Sequence, residues 1–221
     1  SLVEQVRTDV QTLDQLRERL EGVAPESVTI FLHVLLVAIL TLDASDAHIE
    51  PEKEGAKIRL RIDGLLRDLI DLPRTTYEAL LSRIKLVLRI KLNIPDKPQD
   101  GRFSFVLGED AVEARIATLP AEHGEAVVLR VLNPKNLIEM GQLGLRKEVL
   151  FTLNNELKRP NGMVVVTGPT GCGKTTTLYA FLKEIHKPEI KIITIEDPIE
   201  YHLEGVSQTQ VHPEKGYDFA S

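Results

Sequence analysis

The sequence predicts two kinds of fold in succession, a small α+β domain followed by the opening strands and helices of a parallel α/β sheet. Two observations carry this expectation. Between Ala24 and Leu132, helical and strand periodicities come in runs, as α+β packing requires. From Gly144 onward helix and strand alternate, the pattern that builds a parallel sheet. The corresponding segments are 1–23 as a helical lead-in, 24–132 as the α+β domain, 133–143 as a linker opening at Asn133-Pro134, and 144–221 as the α/β part.

In chain order, Val3, Val6, Val10, Leu13, Leu16 and Leu20 recur three or four residues apart with charged residues between them. That spacing predicts one amphipathic helix over Leu2–Leu20. Val28–Leu42 is apolar almost throughout, but it is shorter than the roughly 18 to 20 residues a bilayer crossing needs. It also contains His33 and runs into Asp43, so it reads as a buried helix. Lys57–Asp63 alternates charged residues with Ile58, Leu60 and Ile62, the period of a half-buried strand, and Asp63-Gly64 reads as the turn that ends it. Tyr77, Leu80, Leu81, Ile84, Val87 and Leu88 return to helical spacing, with Pro95 and Pro98 as the expected stop. Strands are expected at 102–107, 111–118 and 126–132. Beyond the linker come a helix at 145–158, a strand at 163–167, a helix at 174–186, and strands at 190–195 and 206–211.

Composition narrows the functional classes. Lys and Arg number 27 against 33 Asp and Glu, a net charge of −6, and hydrophobic residues make up 43%. This is the balance of an ordinary globular chain, and it argues against nucleic acid as the default partner. The single cysteine, Cys172, excludes an internal disulfide framework and a multi-thiolate zinc site, and it fits a reducing cytoplasm. No secretion signal is visible at the N-terminus, and Ser1 without a preceding Met reads as a fragment boundary.

Chemistry concentrates in Gly168-Pro169-Thr170-Gly171-Cys172-Gly173-Lys174-Thr175, which satisfies G-x-x-x-x-G-K-[ST]. Val164, Val165 and Val166 precede it. Leu178, Phe181, Leu182 and Ile185 follow on one helical face. Glycines there let backbone N–H groups curl around phosphates, and the helix N-terminus adds its positive dipole. The predicted ligand is ATP with magnesium, bound by Gly168 through Thr175 and by Thr176. Lys174 reaches the β- and γ-phosphates, and the Thr175 hydroxyl sits on the metal. Cys172 reads as a tolerated small residue. Glu196, Asp197 and Glu200 follow a predicted strand, at the end of the sheet where ligands sit. There they could hold magnesium waters or orient an attacking water; a solvated loop is the plainer alternative, which the neighbouring phosphate loop outweighs.

Several blocks together carry a family resemblance: Ala44-Ser-Asp-Ala-His-Ile-Glu-Pro51, Arg59-Leu-Arg-Ile-Asp-Gly64, Pro98-Gln-Asp-Gly-Arg102, Ala114-Arg115 before Leu119-Pro120, His123-Gly124-Glu125, and Thr194-Ile-Glu-Asp-Pro-Ile-Glu-Tyr201. With the phosphate loop they resemble the secretion ATPase superfamily, in particular its type II secretion and type IV pilus assembly branch, GspE and PilB. The resemblance runs from about Ala44 to the C-terminus. It implies a PAS-like α+β domain, a linker and a RecA-like ATPase domain, in a hexamer on the cytoplasmic face of the inner membrane, beside platform and assembly proteins. ATP hydrolysis there drives pseudopilin or pilin assembly.

By the same resemblance Glu196 and Glu200 lie in the family's acidic box, and Arg102 and Arg115 act on the phosphates like arginine fingers, so that Lys174, Glu196, Glu200, Arg102 and Arg115 are the residues assigned to catalysis. His48 and His123 match family blocks but have no companion ligands and are read as structural. Family members continue through a Walker B segment and a histidine-containing box. The expectation is therefore that this chain carries half of an active site and, alone, binds ATP weakly without measurable turnover. Retraction-type and conjugation-type ATPases, or a nucleotide-binding module without turnover, are the competing readings.

Overall fold

A computed structural model of the chain describes residues 6, 9–24, 26–107, 110–132, 137–169 and 171–220, with the backbone alone at 110 and 111. The chain divides into two compact units, Ser1–Asn133 and Pro134–Ser221.

Among the described residues, the first unit contains a six-stranded antiparallel sheet and three helices of nine or more residues. The helices are α1 (Leu13–Glu21), α2 (Val28–Thr41) and α3 (Arg74–Leu88). The strands are β1 (Asp46–Pro51), β2 (Gly55–Ile62), β3 (Leu65–Pro73), β4 (Gln99–Leu107), β5 (Asp110–Ala121) and β6 (Gly124–Leu132), ordered β3-β2-β1-β6-β5-β4. One face of the sheet presents Ala47, Ile49, Ile58, Leu60, Ile116 and Leu129, all buried with Leu32, Leu35 and Ile39 of α2 and with Tyr77, Leu80 and Ile84 of α3 in one core. Alternate residues such as Lys57, Arg59, Asp100, Arg102 and Arg115 lie on the opposite, less buried face. A two-periodic strand packed on one side demands this division.

Two expectations change here. The N-terminal amphipathic pattern does not form one continuous helix through Leu20. Val10 lies outside helical structure, and Thr12 starts α1 afresh. Its hydroxyl accepts the Gln15 N–H, and the Gln15 side chain accepts the Thr12 N–H, a reciprocal cap that marks a helix start. Residues 1–5, 7 and 8 of the predicted helix lie outside the described residues. Helix α3 stops at Leu88 rather than at the prolines, because Arg89 adopts a left-handed conformation (φ 57°) and the Ile90 N–H turns back to the Lys85 carbonyl.

The Asp63-Gly64 turn forms, with both residues at positive φ (52° and 78°), the two-residue hairpin geometry that suits the twist of β2 and β3. The His123-Gly124-Glu125 block is a packing device. A Cβ on Gly124 would lie 2.7 Å from the Tyr77 hydroxyl. That hydroxyl donates to the Glu125 carbonyl and accepts the Glu125 N–H, both at 2.9 Å. The Glu125 carboxylate in turn takes the buried Lys85 ammonium at 2.5 Å.

The second unit contains α4 (Lys147–Glu156), α5 (Lys174–Ile185), β7 (Ile193–Glu196) and β8 (Ser207–Gln210). β7 and β8 pair in parallel. The expected strand at 163–167 joins no ladder among the described residues, and Met163 and Val165 are 87% and 74% exposed. Valine-rich composition favours a pleated conformation, but a strand exists only where a neighbour supplies N–H and C=O groups. The buried residues of this unit include Met140, Ala180 and Phe181, packed with Leu150, Leu153 and Val166.

Candidate functional site

The phosphate-loop motif leads directly into α5. Gly173 is the N-cap, in a left-handed conformation (φ 88°) with no side-chain cap, and Gly171 is also left-handed (φ 79°). Residues with a Cβ are strained at such angles, so the loop needs glycine at these two positions. Thr170, between them and Pro169, lies outside the described residues. The Lys174 ammonium folds over the loop and donates to the carbonyls of Gly168 and Pro169, at 2.9 and 2.8 Å. Among the described residues its partners are thus backbone oxygens rather than carboxylates. Cys172 is exposed. Thr175 and Thr176 occupy the first turn of α5, where N–H groups have no intrahelical acceptors and the helix dipole favours an anion.

A cavity of about 410 Å³ lies between α5 and the end of β7, lined by Thr175, Tyr179, Glu196, Asp197 and Glu200 on its polar side and by residues such as Leu178 and Phe181 on its apolar side. The structure therefore brings together four residues proposed from sequence, Thr175, Glu196, Asp197 and Glu200. An ammonium held by loop carbonyls, glycines in conformations open to backbone approach, and a hydroxyl sharing a cavity with carboxylates fit a magnesium nucleotide.

Glu196 is held tightly. Its Oε2 accepts the Tyr179 hydroxyl at 2.5 Å, and its Oε1 accepts the Thr194 hydroxyl at 2.6 Å and Gln208 Nε2 at 3.0 Å. Burial first, and then the bonded Glu196 carboxylate, push the Tyr179 phenol far above its usual pKa. Sequence reasoning missed Tyr179, Thr194 and Gln208. Tyr179 falls four residues after Thr175, on the same face of a helix. That spacing was readable, but what the face meets was not.

Arg102 and Arg115 belong to the first unit. They face each other across β4 and β5, and both lie near the Glu113 carboxylate, at 4.0 and 3.8 Å. The register continues this row: Arg115 pairs with Arg130, Arg130 bonds Asp46 at 2.8 Å, and Asp46 pairs with Arg61. Four arginines thus cross the polar face of the sheet, and the sequence had suggested only two of them for a role. Asp46 is buried beneath them. Burial opposes its charge, yet hydrogen bonds from Ser45 and Arg130 hold its carboxyl below the usual value. Burial also lowers the pKa of His48, against the pull of Asp46, so its ring is neutral at pH 7. His123 contributes its backbone carbonyl to Arg74 at 2.6 Å.

A glycine-rich loop capping a helix, with an acidic strand end beside it, has the form of the P-loop class of nucleotide-binding proteins. The particular family follows from comparison. Residues 22–221 match the family described as Type II/IV secretion system protein, and the chain belongs to it. It is 40% identical over 211 residues to the type II secretion system protein E of Aeromonas hydrophila, covering 95% of this chain and 42% of that protein. With the type II secretion system ATPase E of Vibrio cholerae it shares 38% identity over 212 residues, covering 95% of this chain and 42% of the relative.

The chain thus spans about two fifths of the length of these relatives. Among solved structures it is similar to the pilus retraction motor PilT with bound ADP, at 33% identity and a TM-score of 0.59, over 80% of this chain and 50% of that one. The fold is also shared with the ATPase DotB of Legionella pneumophila, at 20% identity and a TM-score of 0.62, over 84% of this chain and 52% of that one.

Proposed function

We propose that this chain is the nucleotide-binding part of an ATP-driven motor subunit, serving a secretion or pilus-assembly machine and coupling ATP hydrolysis to pseudopilin or pilin assembly. The observation that carries the reading is the Gly168–Thr175 loop at the head of α5 with Thr175 and Glu196 on one cavity, in a chain of the secretion family. In this reading the backbone of Gly168–Thr176 cradles the phosphates, and Lys174 leaves its carbonyl partners to meet the β- and γ-phosphates. Magnesium, when bound at the Thr175 hydroxyl, neutralises phosphate charge. Glu196 and Glu200 order water around it. Arg102 and Arg115 supply positive charge to the transferring phosphoryl group, in their own subunit or a neighbour's.

The first unit is then the PAS-like domain and the second the first part of a RecA-like one, with segments 1–23, 24–132, 133–143 and 144–221 as the working division. The whole protein would act as a ring-shaped homo-oligomer, a hexamer, at the cytoplasmic face of the inner membrane beside its platform proteins, without nucleic acid. No helix among the described residues is long and apolar enough to cross a membrane. A retraction-type motor is the second reading, favoured by the likeness to PilT.

Titration with a fluorescent ATP analogue tests the core of the proposal. Lys174→Ala should lower affinity by roughly ten- to a hundredfold, the worth of a charged hydrogen-bonding group. The circular dichroism spectrum should not change, since among the described residues the side chain bonds carbonyls of its own loop. Unchanged affinity would remove the loop from the site. In phosphate-release assays on the full-length protein, Arg102→Ala or Arg115→Ala should lower kcat far more than affinity, because such charges act mainly on the transition state.

A further inference from the structure

The acidic box at the end of β7 is not simply exposed to the cavity. Its first carboxylate, Glu196, is the centre of a partly buried polar network whose members come from three elements: Tyr179 from α5, Thr194 from β7 itself, and Gln208 from β8. Tyr179 is 4% exposed. Its single phenolic proton has two acceptors within reach, Glu196 Oε2 at 2.5 Å and the Tyr201 carbonyl at 3.1 Å. The shorter contact, to an ionised group, takes the proton. The Tyr201 carbonyl is meanwhile served by Gln208 Nε2 at 2.8 Å, and the Tyr201 N–H donates back to the phenol oxygen at 3.2 Å. The Gln208 carbonyl accepts the Leu203 N–H at 2.7 Å, which fixes the orientation of its amide.

We propose that Tyr179 is a positioning residue for the candidate site: it ties the helix that begins at Lys174 to the Glu196 carboxylate and so sets where that carboxylate stands relative to Thr175. The inference rests on the reading of Gly168–Thr175 as a magnesium-nucleotide loop. Thr175 and Tyr179 are four residues apart on α5, so their side chains share a helical face, and both line the same cavity as Glu196. A rigid helix therefore links the residue suited to the metal with the donor that clamps the carboxylate. The three donors occupy three of the roughly four acceptor positions of Glu196, leaving one for a water of the metal shell. Packing alone would be served by phenylalanine. The phenol instead completes an arrangement in which each polar group of the network is matched.

The test is titration of the chain with ADP, in magnesium and in EDTA, for the wild type, Tyr179→Phe, Glu196→Gln and the double variant. Tyr179→Phe should leave affinity in EDTA unchanged and cut the gain from magnesium by roughly tenfold, the loss expected for one hydrogen bond to a charged group. The double variant should lose no more than Glu196→Gln alone, since both changes act through one carboxylate.

Equal losses in EDTA and magnesium would make Tyr179 a mere support of the helix and overturn the proposal. Additive losses, an intact magnesium gain in Tyr179→Phe, or a wild type that binds ADP without any magnesium gain would also overturn it while leaving the nucleotide loop standing. A wild type that binds no nucleotide under either condition overturns the loop reading and this inference together. Should Tyr179→Phe fail to fold, Thr194→Val, which removes another donor to the same carboxylate, is read against the same outcomes.

Discussion

The two units solve the problem of holding charged groups in opposite ways. In the first unit, a sheet face and the helices α1, α2 and α3 enclose a continuous core, and the Lys85–Glu125 pair is buried inside it, with side chains 2% and 5% exposed. In the second, Ile193 is 65% exposed and Met163 87%, and beside the small core three side-chain donors converge on Glu196. Apolar burial organises the first unit. Hydrogen bonds organise the site of the second. The difference teaches that the density of the core need not coincide with the place where side chains are most closely specified.

The largest test of that contrast is Lys85→Ala. It should destabilise the first unit by about 3–5 kcal/mol in urea unfolding, because Glu125 is left charged without its partner away from water. Replacing both, Lys85→Met with Glu125→Leu, should restore most of the loss. A small effect of the single change would mean that water reaches the pair and that the core is less closed than its burial indicates.

Next in size is a matched pair of truncations. Leu35→Ala, at a fully buried position of α2, should cost about 2–5 kcal/mol. Ile195→Ala, at a position 43% exposed, should stay within about 1 kcal/mol. Similar losses at the two positions would erase the distinction between the units.

The smallest effect concerns pH. The folded pKa of Asp46 is lowered, so its contribution is present above the unfolded carboxylate value and is lost as pH falls through the folded one. Asp46→Asn should therefore be less stable than the wild type near neutrality. The gap should close on acidification below about pH 4. A gap independent of pH would show that the charge of Asp46 is not what Ser45 and Arg130 stabilise.

Sequence alone was a good guide wherever the cause is local. The Asp63-Gly64 turn, the period of β2 and the glycine pattern of the loop before Lys174 depend on residues a few positions apart, and each is visible in a short window. β1 and β3 passed unrecognised for a related reason. Asp46, His48 and Glu50 alternate with Ala47 and Ile49, a usable period in β1, but these polar residues also belong to a family-like block, which masks their place on one face of a strand.

What only the tertiary structure decided is lateral. Arg102, Arg115, Arg130 and, across Asp46, Arg61 form one row because antiparallel register aligns five strands, and a one-residue slip would turn each of them to the other face. Tyr179 meets Glu196 because α5 packs beside the end of β7, seventeen residues further along the chain. The valine run at 163–167 had the composition of a strand and found no partner among the described residues. Local conformational preference is written into neighbouring residues, whereas pairing, burial and the state of a carboxylate depend on groups that the chain brings near only when it folds.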